Sequence, residues 1–172
     1  MKNIDKVQLK TLIDIIGSLP SLQIAHFTNE EDSLSDMLNE YCHERGYLYQ
    51  INTSDRSFAE GVSEKLRDTE TTQVKFFPLE RNAYMIQGRQ YDFLFVSIEI
   101  EDALKGDFLK KVHKIMRNAG NIIIFIPKGD RKTRYSWTAL LEEHYFVATS
   151  TINDLFENYD VVISKKMHGW GG

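Results

Sequence analysis

The sequence predicts an α/β domain in which a mostly parallel sheet of about seven strands carries helices on both faces. The stretches Tyr91–Ile98 and Asn121–Pro127 are nearly continuous apolar runs without alternation, as in strands covered on both sides. Between them Phe108, Leu109, Val112, Ile115 and Met116 recur at the spacing of one helix face, so the two runs form a parallel β-α-β unit. The last two apolar runs, Tyr145–Thr151 and Tyr159–Lys165, are joined only by Ile152–Asn158, too short a link for a parallel crossover. They are expected to pair antiparallel, with Tyr159–Lys165 also antiparallel to Asn121–Ile126.

The remaining elements follow in order. Ile4, Val7, Leu12, Ile13 and Ile16 mark a first helix ending near Gly17 and Pro20, and Leu22–Phe27 reads as the first strand. Asp32 or Ser33 suits the N-cap of a second helix, with Leu34, Met37, Leu38, Tyr41 and Cys42 as its buried stripe and Gly46 as its end. Tyr47–Asn52 is the second strand. Phe58, Ala59, Val62 and Leu66 indicate a third helix, the polar run 69–72 a loop, and Val74–Leu79 the third strand. A short helical or irregular piece over Ala83–Gln87 leads into the Tyr91 strand. Gly120 stands where a left-handed helix cap is expected. After the fifth strand the basic run Lys128, Arg131, Lys132 and Arg134 reads as a loop, followed by a helix over Ser136–His144 with Trp137, Leu140 and Leu141 inward.

Composition narrows the function classes. The 172 residues are 42% apolar and 27% charged, ordinary for one globular domain, so a single domain over 1–172 is expected. A net charge of −4 argues against a general nucleic-acid-binding surface. No apolar run is long enough to span a bilayer, and Met1–Lys6 lacks the apolar core of an export signal, so a cytoplasmic protein is expected. The sole cysteine, Cys42, excludes an internal disulfide and a cysteine-based metal site, and its place on an apolar stripe makes it a small core residue. No His-x-x-x-His, Gly-x-Ser-x-Gly or Walker-type pattern occurs.

Five β-α units followed by a terminal β-β pair resemble the class I S-adenosylmethionine-dependent methyltransferases, a Rossmann-like family whose antiparallel seventh strand inserts beside the fifth. The local matches are Tyr91–Val96 for the fourth strand, Met116–Ile124 for helix end, glycine turn and fifth strand, and Tyr145–Val147 with Tyr159–Lys166 for the last two. A flavodoxin-like sheet would match the first half but leave the terminal pair unexplained. The resemblance implies a three-layer sandwich holding S-adenosylmethionine across the ends of strands one, two and four, and by position assigns His26, Thr28, Asn29, Asn52, Ser97 and Glu99 to the cofactor. The chain departs from the pattern in two places. The turn after strand one, Ala25–Asp32, has no glycine, and Asn52 stands where the family places an acid for the ribose hydroxyls, with Asp55 three residues later. Cofactor affinity is therefore expected to be weak or absent. Ser97-Ile98-Glu99-Ile100 replaces the motif of amino-methylating members, which argues against that chemistry.

The loops leaving strands one and four carry Glu30, Glu31, Asp32 and Glu99, Glu101, Asp102. They read either as a cluster for a divalent cation, sulfonium or amine, or as helix-start and solvated carboxylates. His26, at the strand-one exit, reads as a site residue or as a strand-end histidine bonded to neighbouring backbone; His43 and His113 are expected to be exposed. Lys128, Arg131, Lys132 and Arg134, with Tyr135 or Trp137 for stacking, would suit a phosphate or nucleic-acid backbone; the alternative is a solvated loop. No catalytic base can be nominated. The tail 167–172, with Trp170, either packs on the domain or meets a partner. The functional alternatives are a divergent methyltransferase, a non-enzymatic binding or scaffold protein, and a nucleic-acid-associated factor.

Overall fold

A computed structural model describes residues 4–16, 19–65, 70–84 and 90–167. Gly17, Leu66, most of Ala83–Gln87 and the tail 168–172 lie outside the described residues. The elements run α1 (Lys6–Ile13) with a 3-10 turn (Asp14–Ile16), β1 (Gln23–Phe27), α2 (Ser33–Arg45), β2 (Leu48–Thr53), α3 (Arg56–Lys65), β3 (Thr72–Phe76) and β4 (Tyr91–Val96). They continue with α4 (Asp102–Ile115), β5 (Met116–Pro127), α5 (Arg131–Glu143), β6 (Phe146–Ile152) and β7 (Tyr159–Lys166). The strands form one seven-stranded sheet in the order β3-β2-β1-β4-β5-β7-β6. The first five are mutually parallel, while β7 lies antiparallel between β5 and β6, with Ile123 opposite Ile163 and Val147 opposite Lys165. The expected Rossmann-like, methyltransferase-like architecture is the one observed.

The pleat of β5 separates two cores. Ile123 and Phe125 join Leu9, Leu12, Leu34 and Leu38 beneath α1 and α2. Ile122, Ile124 and Ile126 face Phe108, Val112, Trp137 and Leu141 of α4 and α5. The division is the one anticipated from the apolar run. At α2 the capping reading also holds, since Asp32 accepts from the Ser35 amide and Ser35 Oγ accepts from the Asp32 amide, while Gly46 closes the helix at φ 65°.

Several boundaries differ from expectation. β3 begins two residues early, at Thr72. Val7, read as core, is 73% exposed, because the buried stripe of α1 is Leu9, Leu12 and Ile13. His113 is half-buried, with its ring against those of Tyr145 and Phe146. The helix α5 starts at Arg131, five residues before Ser136, because Asp130 caps it by accepting from the Thr133 amide. The basic run is therefore mostly the first turn of a helix.

Gly120 is the most informative difference. It is not a helix cap: α4 ends at Ile115 and Met116 is already extended. Between β4 and β5 the register moves from Tyr91–Met116 to Phe93–Asn121, two steps on one strand against five on the other. This bulge turns through Ala119 at φ 64° and presses Gly120 against neighbouring backbone. A β-carbon there would lie 3.0 Å from the carbonyl oxygens of Arg117 and Asp92 and 3.1 Å from that of Tyr91.

Gly120→Ala should lower stability by about 1–3 kcal/mol, as forced overpacking does, whereas Gly61→Ala, whose β-carbon would meet nothing, should not. Ile124→Ala, removing a side chain 1% exposed, should cost about 2–5 kcal/mol. Urea denaturation measures these changes; a cost below about 1 kcal/mol for Ile124→Ala would mean that β5 is not central.

Candidate functional site

The strand order reverses between β1 and β4, and in open α/β sheets ligands bind beyond the carboxyl ends of the strands at such a point. The loops 28–32 and 97–101 leave the sheet there, and the start of the α3 helix lies beside the first.

His26 of β1 and Ser97, the residue that follows β4, are brought together. His26 is fully buried, with Nδ1 2.9 Å from Tyr49 Oη and Nε2 2.7 Å from Ser97 Oγ. Its partners are thus side chains, not the backbone. Burial holds its pKa at about 4 against an ordinary 6.5, with the Asp32 carboxylate opposing that shift, so the ring is neutral near pH 7. The Tyr49 phenol, whose pKa burial raises well above 10, remains protonated. Among the described residues no other acceptor serves this phenol, so it donates to Nδ1 and the ring proton resides on Nε2. Nε2 then donates to Ser97 Oγ, and the serine hydroxyl passes its own hydrogen to Phe27 O at 3.3 Å. Tyr49 was not read from the sequence as a site residue; in a strand it looks like any other core aromatic.

The other expected site residues face their own chain. Thr28 is buried, and its hydroxyl bonds the Glu30 carbonyl at 2.9 Å while accepting from the Glu30 amide at 3.3 Å. Asn29 Oδ1 accepts from Thr53 Oγ1, the Ser54 amide and Ser54 Oγ at 2.8, 2.9 and 3.1 Å, and Asn29 Nδ2 donates to Ser54 Oγ at 2.9 Å. This carboxamide ties the exit of β1 to the exit of β2. Asn52 is fully buried, its Oδ1 accepting from Gln50 at 2.6 Å while its Nδ2 has no hydrogen-bond partner among the described residues. Asp55 accepts from the Phe58 amide at 2.9 Å and so caps α3.

Glu99 lies exposed at the rim of a cleft of about 340 Å³ formed by the β1 and β4 exit loops, α4, α5 and the ends of β5 and β7. Its walls include Ser97 and the aromatic side chains Phe125, Trp137 and Tyr159. Five carboxylates line it, Glu30, Glu99, Glu101, Asp102 and Asp130, against one ammonium, Lys105. Lys105 is 2% exposed; its Nζ lies 2.6 Å from Asp102 Oδ1 and 5.2 Å from the centre of the Trp137 ring. That hydrogen bond and charge, aided by Ser136 and Lys132, hold the Asp102 carboxyl below the usual range; bonds from Thr133 do the same for Asp130. Among the described residues no three His, Cys, Asp or Glu side chains converge as a metal site.

Half of the basic run, Lys128 and Arg134, is engaged within the fold. The buried Asp160 of β7 lies 3.6 Å from Lys128 Nζ and 3.7 Å from an Arg134 nitrogen, and accepts from the Gly129 amide at 3.3 Å. Lys128 also donates to the carbonyls of Asn153 and Phe156, and Arg134 to Asn153 Oδ1. Arg131 and Lys132 are exposed. Cys42 is buried, which pushes its thiol up to about 12. No described helix is long and apolar enough to cross a membrane.

The His26 shift sets a pH dependence. Since the folded pKa lies below the unfolded one, the unfolded chain binds more protons between them. The contribution is fully present above about pH 6.5 and is lost as pH falls toward about 4, a decline of a few kcal/mol. In chemical denaturation across this window, His26→Gln should lack that part of the slope. The imidazole carbon shifts of His26 should stay flat from pH 8 to 5; a midpoint near 6.5 would contradict the buried relay.

No protein-family model matches this sequence, and no curated protein matches it. The structure matches solved ones. The CurJ carbon methyltransferase superposes with a TM-score of 0.73 at 11% identity, over 94% of this chain and 54% of that one. A TehB-like S-adenosylmethionine-dependent methyltransferase from Corynebacterium glutamicum gives 0.70 at 12%, over 92% and 87%. An S-adenosylmethionine-dependent O-methyltransferase from Thermotoga maritima gives 0.73 at 9%, over 100% and 69%. The chain spans about half the length of the carbon methyltransferase. At these identities the likeness is one of fold, and with β7 set antiparallel between β5 and β6 this chain has the class I S-adenosylmethionine-dependent methyltransferase-like fold.

Proposed function

We propose that this protein is a small-ligand-binding protein on a methyltransferase-like fold, diverged so that affinity for S-adenosylmethionine is weak or lost, and that its ligand occupies the cleft beside β4 and β5. The observation that carries the reading is the Asn29 carboxamide, which bridges to Thr53 and Ser54 across the gap between the β1 and β2 exits. That gap is where the fold would bring bare glycine backbone against the cofactor, and β-carbons at Thr28 and Asn29 stand in it as well. The acceptors for the ribose hydroxyls are also wanting. Asn52 is sealed inside the sheet, and Asp55 spends its carboxylate on the first turn of α3. A hydrogen bond to a charged acceptor contributes roughly 1.5–3 kcal/mol, so losing one weakens binding by about tenfold or more. The residues present do not fit the cofactor in its usual pose, whereas the cleft is open, of small-molecule size and lined by both aromatic and charged groups.

Calorimetric titration at high protein concentration tests this. S-adenosylmethionine and S-adenosylhomocysteine should bind with millimolar constants or not at all, and Asn29→Gly, which removes the bridge and a β-carbon together, should tighten binding. A micromolar constant for the unaltered protein would overturn the reading and restore methyl transfer as the function.

A further inference from the structure

We infer that the ligand of this cleft is a small organic ammonium ion, a class that follows from three independent features and rests on the reading of the cleft as the ligand site. The first is charge. Among the described residues five carboxylates line the cleft, and the one ammonium, Lys105, is turned aside onto Asp102 and the face of Trp137. Asp130 is held by the Thr133 amide and Asp102 by Lys105, and Glu99 and Glu101 stand exposed at the rim. A wall of that sign repels anionic ligands and attracts cations.

The second feature is the polarity of Ser97. Its hydroxyl oxygen receives the His26 Nε2 hydrogen at 2.7 Å, and its own hydrogen is directed to Phe27 O. The relay from Tyr49 through the fully buried His26 therefore fixes Ser97 as an acceptor toward the cleft, since its one hydrogen is committed to the sheet. A group entering beside it must donate, as an ammonium N–H does. Because His26 is neutral down to about pH 4, this orientation does not change near pH 7.

The third feature is the aromatic wall. Phe125 and Tyr159 stand with ring centres 6.4 Å apart at 79°, and Trp137 already accepts a cation 5.2 Å from its own ring centre. Phe125 and Trp137 are themselves buried, at 7% and 3% exposed, so the half-buried Tyr159 is the ring that can attract an ammonium without satisfying an anion. A bare divalent ion is the poorer match, because the carboxylates do not converge on one point.

The test compares three four-carbon probes of one length and different charge, butane-1,4-diamine, butane-1,4-diol and succinate, in nitrogen-15 NMR titrations of the full chain. The diamine should shift amides at 97–105 and 130–137 saturably, and the diol and succinate should not. Ser97→Ala and the double variant Glu99→Gln, Glu101→Gln should each raise the diamine Kd, the latter by about tenfold. Their unperturbed spectra away from the cleft show that the fold is intact. Equal shifts with the diol, stronger ones with succinate, the same shifts with magnesium chloride, or no saturable shift with the diamine would each overturn the inference. If the diamine fails while S-adenosylmethionine also fails to bind, this inference falls alone. If S-adenosylmethionine binds at micromolar concentration and displaces the diamine, the reading of the cleft falls with it.

Discussion

The burial of β5 on both faces, together with its pairing on both edges, is the constraint from which the other elements take their places. Its alternate side chains feed two separate cores, so neither helical layer can shift without disturbing the strand. Its edges are taken by β4 running parallel and β7 running antiparallel. A strand so enclosed tolerates no unmatched polar group and no slip in register, since one residue of slip would exchange the two cores. The bulge at Met116–Gly120 lets a strand of this length leave α4 at once and still come into register with β4. The close approach of Gly120 to three carbonyl oxygens is what that manoeuvre requires.

From this frame the site inherits its rigidity. The sheet sets β1 beside β2 and β4, so that Tyr49, His26 and Ser97 form a chain of hydrogen bonds running across the strands. Buried polar groups persist when every member is satisfied, and here each donor has an acceptor and the last is a backbone carbonyl. The relay thus carries orientation from the dry side of the sheet to the edge of the cleft. The opposite rim is organised differently: Asp160, deep in β7, gathers Lys128, Gly129 and Arg134, and α5 starts where the Asp130 cap places it. Cations at the first turn of a helix oppose its dipole, and the Asp160 carboxylate offsets that cost.

Much of the fold was legible because it depends on patterns that a single sequence carries. Runs such as Asn121–Ile126 declare double burial, and the six residues between β6 and β7 forbid a parallel return. The misplaced features depend on contacts between distant residues. Gly120 looks like a helix cap until Tyr91 and Asp92 are seen to crowd it, and the basic run looks like a loop until Asp130 and Asp160 are placed. The candidate site was legible only in part. The missing glycine and the acidic exits can be read directly from residues 25–32 and 97–102. Neither the bridge from Asn29 to Ser54 nor the partnership of His26 with Tyr49 leaves a spacing or motif behind, because each joins segments more than twenty residues apart.

The sheet order also has a consequence for the sequence of events in folding. β6 is made before β7 yet lies outside it, and among the described residues its only strand partner is β7. As the chain grows, β6 therefore has no edge to join, and β5 keeps one side open, until β7 arrives to fill the space between them. The pairings of β7 reach back some forty residues to β5, so closing this half of the sheet carries the loop-closure delay of non-local contacts. During that interval the long apolar edge of β5 is a template for other chains. Delayed closure of this half of the sheet thus bears on how much chain reaches the native state, while the stability of the finished fold is set by its contacts.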